Sequence, residues 1–542
     1  MEKMLACRFA PLFRMSALDA LTDRLVEWGY NAVIIEFEDR FRYSRHPAIA
    51  HPEAYAPEEW ASFADRCRGK GLKVIPLVQS LGHAEFVLRK PPYRHLRQNP
   101  EIDTLYDPLS EEARALVRDL FDEVIDAVRP DGFFHLGGDE TFGLGDSPAC
   151  REAMAGRGAG WLYLQHMAPL LEHVRHRGLR PILWHDILVK HPERLCEVPR
   201  DVVMMEWNYN AIAERADRIR VRGAGEKLRE NSATVNWGRY QEIRRRAGFF
   251  REYFESYCVD DEARETHRFR PFFYTHALLD MGFDVIVASG SYLAEPLFGL
   301  SRHRNTDLND FLRPQIPNTF FGARKGFECG LGTVATTWAS HNPLETAFPA
   351  LFAAPYATRD RRGFDGGRLL RDFTCEFYGV ECPELGQVMD LVEIEFPIGY
   401  GAWIDASRKL RERGVDWQAT RLAEWVEKTG GAGQAIVFLD HLCAAYAAAE
   451  TLLVAMQSRA QKNQENVAFW LEGVRGSVLA AKFFKAVVSG NLDRERRSLA
   501  DLAARLRQAS TDLFAGIYLP LSLKEEMDHR YGFFDEVLGV GR

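Results

Sequence analysis

"HLGGDET", residues 135–141, follows the short apolar run Gly132-Phe133-Phe134. Two glycines lead out of that run into two adjacent carboxylates, Asp139 and Glu140, whose charges repel. An Asp-Glu pair usually marks a solvated turn or a helix N-terminus. The apolar run makes this one the end of a strand, and similar runs recur on either side of it. The pattern predicts strands at 4–9, 31–38, 73–79, 132–138, 181–186, 202–208, 283–290 and 332–339. They are short and continuously apolar, as in a parallel sheet covered on both faces.

Helical patterns separate the early strands. Ser16 is placed to cap a helix running to Trp28. Pro57-Glu58-Glu59 opens the next, which ends near Gly69, and Ser110-Glu111-Glu112 starts another that closes before Pro130. These are a cap, a proline at an early position and acids in a first turn. Eight strands mostly alternating with helices point to an α/β fold, a (β/α)8 TIM barrel. An open doubly wound sheet is the alternative, but no Gly-rich nucleotide turn follows the first strand. The sixth crossover is long, about 211–281, and rich in Arg, Glu, Tyr and Phe. It is expected to hold extra helices or a loop over the barrel mouth.

After about Thr358 strand signals fade. Asp365-Gly366-Gly367 and Thr429-Gly430-Gly431 separate stretches with helical spacing, among them 435–459, 465–488 and 492–508. The expected organisation is a catalytic barrel over 1–358 and an all-helical C-terminal domain over 359–542. The alanine-rich face Ala444-Ala445-Tyr446-Ala447-Ala448-Ala449 fits helix-on-helix packing, with a homodimer interface as the sharper alternative.

Composition narrows the function classes. A chain of 542 residues exceeds one compact core. With 46% hydrophobic and 27% charged residues and a net charge of −8, it has no basic footprint for nucleic acid. The nine cysteines are scattered without a CxxC pair, so free thiols in a reducing compartment are expected rather than a cysteine zinc site. The N-terminal apolar run is broken by Arg8 and Pro11, unlike a secretory signal. The most apolar later stretch contains Asp440, His441 and Glu450, so it reads as a bundle helix and not a membrane span. A cytoplasmic protein follows.

Barrel chemistry gathers at the C-terminal strand ends. There the sequence offers Arg8; Glu36, Glu38 and Asp39; Gln79, His83 and Glu85; His135, Asp139 and Glu140; Trp184, His185 and Asp186; Glu206 and Trp207; Ser289 and Tyr292; and Trp338, Ser340, His341 and Asn342. One tryptophan in a strand is usually core. Three at matching ends form an apolar wall around an acidic pair, which fits the CH faces and polar rim of a monosaccharide. The His and Asp residues are also metal-ligand types, but no HExxH or paired HxH spacing appears.

His135-Leu136-Gly137-Gly138-Asp139-Glu140 resembles the H-x-G-G-D-E signature of the family 20 glycoside hydrolases, the β-N-acetylhexosaminidases. "IIEFEDRFRY" (34–43) and "VIPLVQSLGHAEFVLR" (74–89) resemble the hexosaminidase D branch of that family, and Trp184-His185-Asp186 fits its Trp-x-Asp. The resemblance is strong up to about residue 190, weaker to the last strand and slight in the helical tail.

The resemblance implies an exo-acting hydrolase of terminal β-linked N-acetylhexosamine glycosides that needs no metal or other cofactor. Catalysis would be substrate-assisted: the 2-acetamido oxygen attacks the anomeric carbon, giving an oxazolinium. Glu140 is then the general acid and later the base, with a carboxyl raised by its neighbour. Asp139 orients the acetamido group. Arg8 binds sugar hydroxyls, although the family's preceding Asp is replaced by Ala6 or Cys7. His83 with Asp39 or Glu38 forms a relay to Asp139; Trp184, Trp207 and Trp338 clamp the pyranose, and His135 lines the site. Tyr292 meets the acetamido oxygen. The family's Trp-x-Glu after the last strand is Trp338-Ala339-Ser340 here, so Glu85 or Glu206 is the substitute acid. The branch resemblance leans towards N-acetylgalactosaminides. A metal-dependent barrel hydrolase and a non-catalytic carbohydrate-binding protein stand as alternatives.

Overall fold

A computed structural model describes residues 2–10, 13–292, 312–338, 344–393 and 421–539, without the side chains of 292, 312–314 and 421. In chain order the strands are β1 (Met4–Phe9), β2 (Ala32–Glu36), β3 (Lys73–Leu77), β4 (Phe133–His135), β5 (Arg180–Trp184), β6 (Val203–Trp207), β7 (Arg218–Val221), β8 (Ala233–Asn236), β9 (Asp284–Tyr292) and β10 (Gly332–Thr337). Eight of them close a parallel barrel in the order β1-β10-β9-β6-β5-β4-β3-β2, while β7 and β8 form a separate hairpin. Closure joins the first strand to the last, with Met4 opposite Gly332 and Arg8 opposite Thr336. All eight predicted runs are barrel strands.

Side-chain alternation sorts each strand into two layers. Ala6, Ile34, Ile75, Leu77, Ile182, Trp184, Val203, Met205, Ile286, Ala288 and Val334 fill the lumen. Cys7, Val33, Ile35, Val74, Phe134, Leu183, Met204 and Val285 face the surrounding helices. The same parity carries Arg8, Glu36, Gln79 and His135 to the lumen at its C-terminal end.

Local chemistry explains most helix bounds. Ser110 accepts a hydrogen bond from the Ala113 N–H and caps the helix Glu111–Val128. Pro57 opens the helix Pro57–Gly69. The first helix differs from expectation: it begins at Met15, after Arg14, and has no side-chain cap, so Ser16 lies inside the first turn. The strand expected over 132–138 stops at His135, because Gly137 and Gly138 have φ of +68° and +86°, outside extended geometry.

The long crossover holds the antiparallel β7–β8 hairpin followed by short helices from Trp237 to Thr266. The helices were expected and the hairpin was not. Its four-residue strands, RIRV and ATVN, are too short and too charged to stand out as apolar runs.

Beyond the last barrel strand, the described residues are helical. Phe348–Arg359 and Gly366–Tyr378 pack aromatic side chains around Trp28 of the first helix. One apolar cluster therefore runs from the barrel helices into the C-terminal helices. The helix Ala432–Arg459 is long and apolar enough to cross a membrane by length and composition. In the fold it seats Leu439, Leu442, Tyr446, Ala449, Leu453 and Met456 inside the bundle. Its Asp440 and Glu450 pair with Lys485 and Arg475 at 2.5 and 2.7 Å. The last helix, Pro520–Leu538, reaches back to the barrel. Its first N–H groups, at Leu521 and Ser522, donate to the Glu53 carboxylate at 2.7 Å each.

Candidate active site

The C-terminal mouth of the barrel collects the predicted residues. Asp139 and Glu140 follow β4 on a turn held close to its neighbours. A Cβ on Gly137 would sit 1.9 Å from Gln79 Oε1, and one on Gly138 2.7 Å from the Tyr163 hydroxyl, which itself donates to the Gly138 carbonyl. A Cβ on Gly82 would sit 2.4 Å from the Asp139 carbonyl oxygen. These glycines allow the β3 and β4 loops to touch backbone to side chain. Three non-glycine residues at the mouth also adopt positive φ: Glu38 at 41°, His83 at 53° and Glu140 at 44°. Such strain persists only where the surroundings over-determine it.

Asp139 and Glu140 occupy different environments. Asp139 is 5% exposed, and its Oδ1 has no hydrogen-bond partner. The Glu140 side chain is 36% exposed. His83 Nε2 bridges the two, 3.6 Å from Asp139 Oδ2 and 3.6 Å from Glu140 Oε2. Burial disfavours a charged imidazole, but Asp139 and Glu140 outweigh it and hold His83 up at about 11. Burial pushes the Glu140 carboxyl up, yet His83, Arg222 and Lys190 together leave it below the usual carboxylate range. This corrects the expectation of a raised Glu140: the three cations outweigh its burial.

Of the expected relay, the Asp39 alternative is corrected. His83 touches both carboxylates directly. Asp39 lies with Arg40 at 3.5 Å and Lys90 at 3.9 Å. Glu38 is the acid within electrostatic reach of His83, Arg8 and Glu85, and burial lifts it to about 7. Glu85 begins the short helix Glu85–Leu88 beside this group.

Arg8 reaches the lumen from β1. It pairs with Glu36, donates to the Thr337 carbonyl and stacks 3.9 Å over the Trp338 ring. Gln79 Nε2 donates to Glu36 Oε1 at 2.8 Å. Burial lowers Arg8 to about 10 against the pull of nearby Glu38 and Asp139. Glu36 and Gln79 are strand-end residues too, and their inward parity is the signal in the chain for this place.

Aromatic side chains line the mouth. Trp184 lies 4.7 Å from the His135 ring and 6.0 Å from Trp338. His135 accepts from the Gly137 N–H at 2.9 Å, and burial, followed by Arg8, pushes it down to about 3. Tyr209, which the sequence reading passed over, completes the wall. It lies 5.1 Å from Trp207 and accepts from Trp338 Nε1 at 2.9 Å. The Tyr292 side chain and residues Ser340, His341 and Asn342 lie outside the described residues. Glu206 points the other way: it is fully buried behind β6 and accepts from Thr275 Oγ1 in the helix Phe273–Asp280. Strand parity puts Met205 and Trp207 inward and Glu206 outward, so it is no substitute acid for the pocket.

A second charged group lies behind Glu140. The buried Asp186 accepts from the Glu140 N–H at 3.4 Å and meets Lys190 Nζ at 3.7 Å. Burial raises Asp186 and lowers Lys190. The neighbouring His185 is buried against Trp207 and Tyr274, and burial and Arg222 keep it well below the usual histidine range. Among the described residues, no three His, Cys, Asp or Glu side chains are arranged to hold a metal ion.

Unpaired buried polar atoms converge on this mouth: Arg8 Nε, Gln79 Oε1, His135 Nε2, Asp139 Oδ1, Trp184 Nε1, Asp186 Oδ1 and Trp207 Nε1. Buried polar atoms are normally satisfied, so such a set marks a surface that hydrogen-bonds a polar ligand.

Part of this assembly lies in a stretch that is similar to known proteins. Residues 38–225 match the family model described as glycosyl hydrolase family 20, catalytic domain. Hexosaminidase D of Bos taurus is 34% identical over 191 residues, covering 34% of this chain and 55% of that protein. Hexosaminidase D of Homo sapiens is 32% identical over 191 residues, covering 34% and 39%. The chain thus spans about half or less of the length of these relatives. A β-N-acetylhexosaminidase structure from Bacteroides fragilis covers 69% of this chain and 71% of its own at 15% identity, with a TM-score of 0.46. The stretch 38–225, with Asp139 and Glu140 inside it, is thus the part of the chain that is similar to the catalytic domain of glycosyl hydrolase family 20.

Proposed function

We propose that the protein is an exo-acting β-N-acetylhexosaminidase that releases terminal β-linked GalNAc or GlcNAc with retention of configuration, through an oxazolinium. One observation carries the reading. A buried Asp139 with a free Oδ1 stands beside a half-open Glu140 just past β4, at the mouth of a lumen that holds Trp184, Trp207 and Trp338. The two neighbours therefore suit different tasks.

The sugar's CH face rests on the tryptophans, and Arg8 meets its hydroxyls. Asp139 accepts from the acetamido N–H and offsets the positive charge that grows on that group. The acetamido oxygen attacks the anomeric carbon as the glycosidic C–O bond breaks. Glu140 gives its proton to the leaving oxygen. Water then attacks the anomeric carbon, Glu140 takes the water's proton, and the oxazolinium opens to the β-configured product. In the resting site the proton rests on His83 and Glu140 is ionised. A bound sugar strips water from Glu140 and favours its neutral form. The preference for GalNAc over GlcNAc belongs to the same proposal, as does a cytoplasmic location, which the nine free cysteines support.

The test is hydrolysis of nitrophenyl β-GalNAc and β-GlcNAc by the wild type and by Glu140→Gln. Release on at least one sugar is expected, with kcat about 100- to 10,000-fold lower in the variant. Equal release by both proteins, or none by the wild type on either sugar, overturns the reading. A faster rate on GlcNAc removes the GalNAc preference alone.

A further inference from the structure

Arg222 is brought to the mouth by the crossover hairpin, one residue beyond the end of β7. It is 5% exposed and anchored three ways. Its backbone N–H donates to the Tyr274 hydroxyl at 2.8 Å, its Nη2 donates to the Trp207 carbonyl at 3.1 Å, and its guanidinium lies 3.4 Å over the Trp207 ring. Trp207 also meets the Tyr209 ring and the His185 ring. No carboxylate within ion-pair distance of Arg222 occurs among the described residues, whereas most arginines buried in this molecule have one. Its charge instead extends to Glu140, Asp186 and Glu206.

We propose that Arg222 is a positioning residue for the reaction proposed above: the hairpin delivers its guanidinium to fix the Trp207 face of the sugar wall and to supply a standing positive charge opposite Glu140. The inference rests on that reading of the site. It assigns two separable roles to one side chain. The planar stack orders Trp207, and only a flat cation of this shape both stacks on the ring and reaches its carbonyl. The charge acts on Glu140 together with His83 from the β3 loop and Lys190 from the helix Asp186–Lys190, against Asp139 on the same turn and Asp186 behind it. Of these cations, Arg222 alone comes from the long crossover, so the crossover sets part of the acidity of a residue on the turn after β4.

Two variants separate the roles. Arg222→Lys keeps the charge and loses the flat stack. Arg222→Met keeps an apolar contact on Trp207 and loses the charge. With Arg222→Met, Glu140 should hold its proton to higher pH, so the alkaline limb of kcat/KM on the nitrophenyl sugars moves up by about one pH unit. With Arg222→Lys that limb should stay in place while KM rises about tenfold. A merely structural arginine would lower the melting temperature in both variants and leave the alkaline limb unmoved, which overturns the proposal. If the wild type hydrolyses neither sugar, the reading above has failed by itself. The charge role is then decided by carbon NMR titration of the Glu140 carboxyl, expected to move upward in Arg222→Met and overturned by coincident curves.

Discussion

Two buried arginine–carboxylate clusters sit at opposite ends of this chain and are built differently. In the helical region, Arg530 meets Glu472 at 3.0 Å and Glu526 at 2.5 Å. Ser510 and Tyr531 donate to the same Glu472 oxygen, and Phe514 lies 4.8 Å from the guanidinium. The two acids, ahead of everything except the cost of burial, hold Arg530 above the usual arginine range. At the barrel mouth, Arg8 meets one acid, Glu36, and burial wins: Arg8 is lowered to about 10. Its Nε is unpaired, as are Gln79 Oε1 and Asp139 Oδ1 nearby. A cluster that satisfies itself holds a fold together. One that leaves hydrogen-bonding capacity aimed into a lumen is made for something that arrives from outside.

The sharpest way to break this comparison is to remove the satisfied arginine. Arg530→Met strands Glu472 and Glu526 in the bundle, so stability should fall by about 3–5 kcal/mol in denaturant unfolding. The molecules still folded should hydrolyse substrate as fast as wild type. A large loss of specific activity without loss of stability would show that the two clusters are not different in kind.

Arg8→Lys tests the other side. Charge near Glu36 is kept, while the fork to Thr337 and the stack on Trp338 are lost. We expect kcat/KM to fall by about 10- to 100-fold, with a small change in melting temperature. An unchanged rate would remove Arg8 from the site.

Gly137→Ala should damage both properties together. The residue sits at φ +68°, and its new Cβ would overlap the Gln79 amide that holds Glu36. A stability loss of about 1–3 kcal/mol is expected, accompanied by a lower kcat. Wild-type stability in this variant would mean that the turn is not constrained.

The smallest effect is a pH dependence. His83 is raised from about 6.5 when free to about 11 in the fold. Its stabilisation is therefore full below pH 6.5 and is lost as pH rises towards 11. The stability difference between wild type and His83→Gln should shrink across that window. A difference that is flat or grows with pH would show that His83 is neutral between the carboxylates.

Much of the barrel and its acidic pair was legible in the chain. Short, mostly apolar runs are what parallel strands buried on both faces require, and each of the eight runs contains a barrel strand. Gly137-Gly138 before Asp139-Glu140 marked a strand end because two positive-φ residues stop a strand. Trp184, Trp207 and Trp338 were legible as a wall because each ends a strand with inward parity. Less legible were the partners drawn from distant parts of the sequence. Asp39 and Glu38 are adjacent, yet one turns to Arg40 and Lys90 and the other lies near Arg8, and nothing local chooses between them. Glu206 was one residue from the right parity. The hairpin carrying Arg222 was hidden in strands too short for a periodicity to register.

The sequence by itself determined the barrel, the position of Asp139 and Glu140 at its mouth, and the aromatic character of the surface they face. These depend on residue type and spacing along single strands, where backbone geometry dictates which side chains point inward. Only the tertiary structure decided the protonation order. His83, Lys190 and Arg222 come from three separate segments of the chain, and together they outweigh the cost of burying a charged Glu140. Electrostatic interaction depends on distance through space and on burial, and neither is a property of position along the chain.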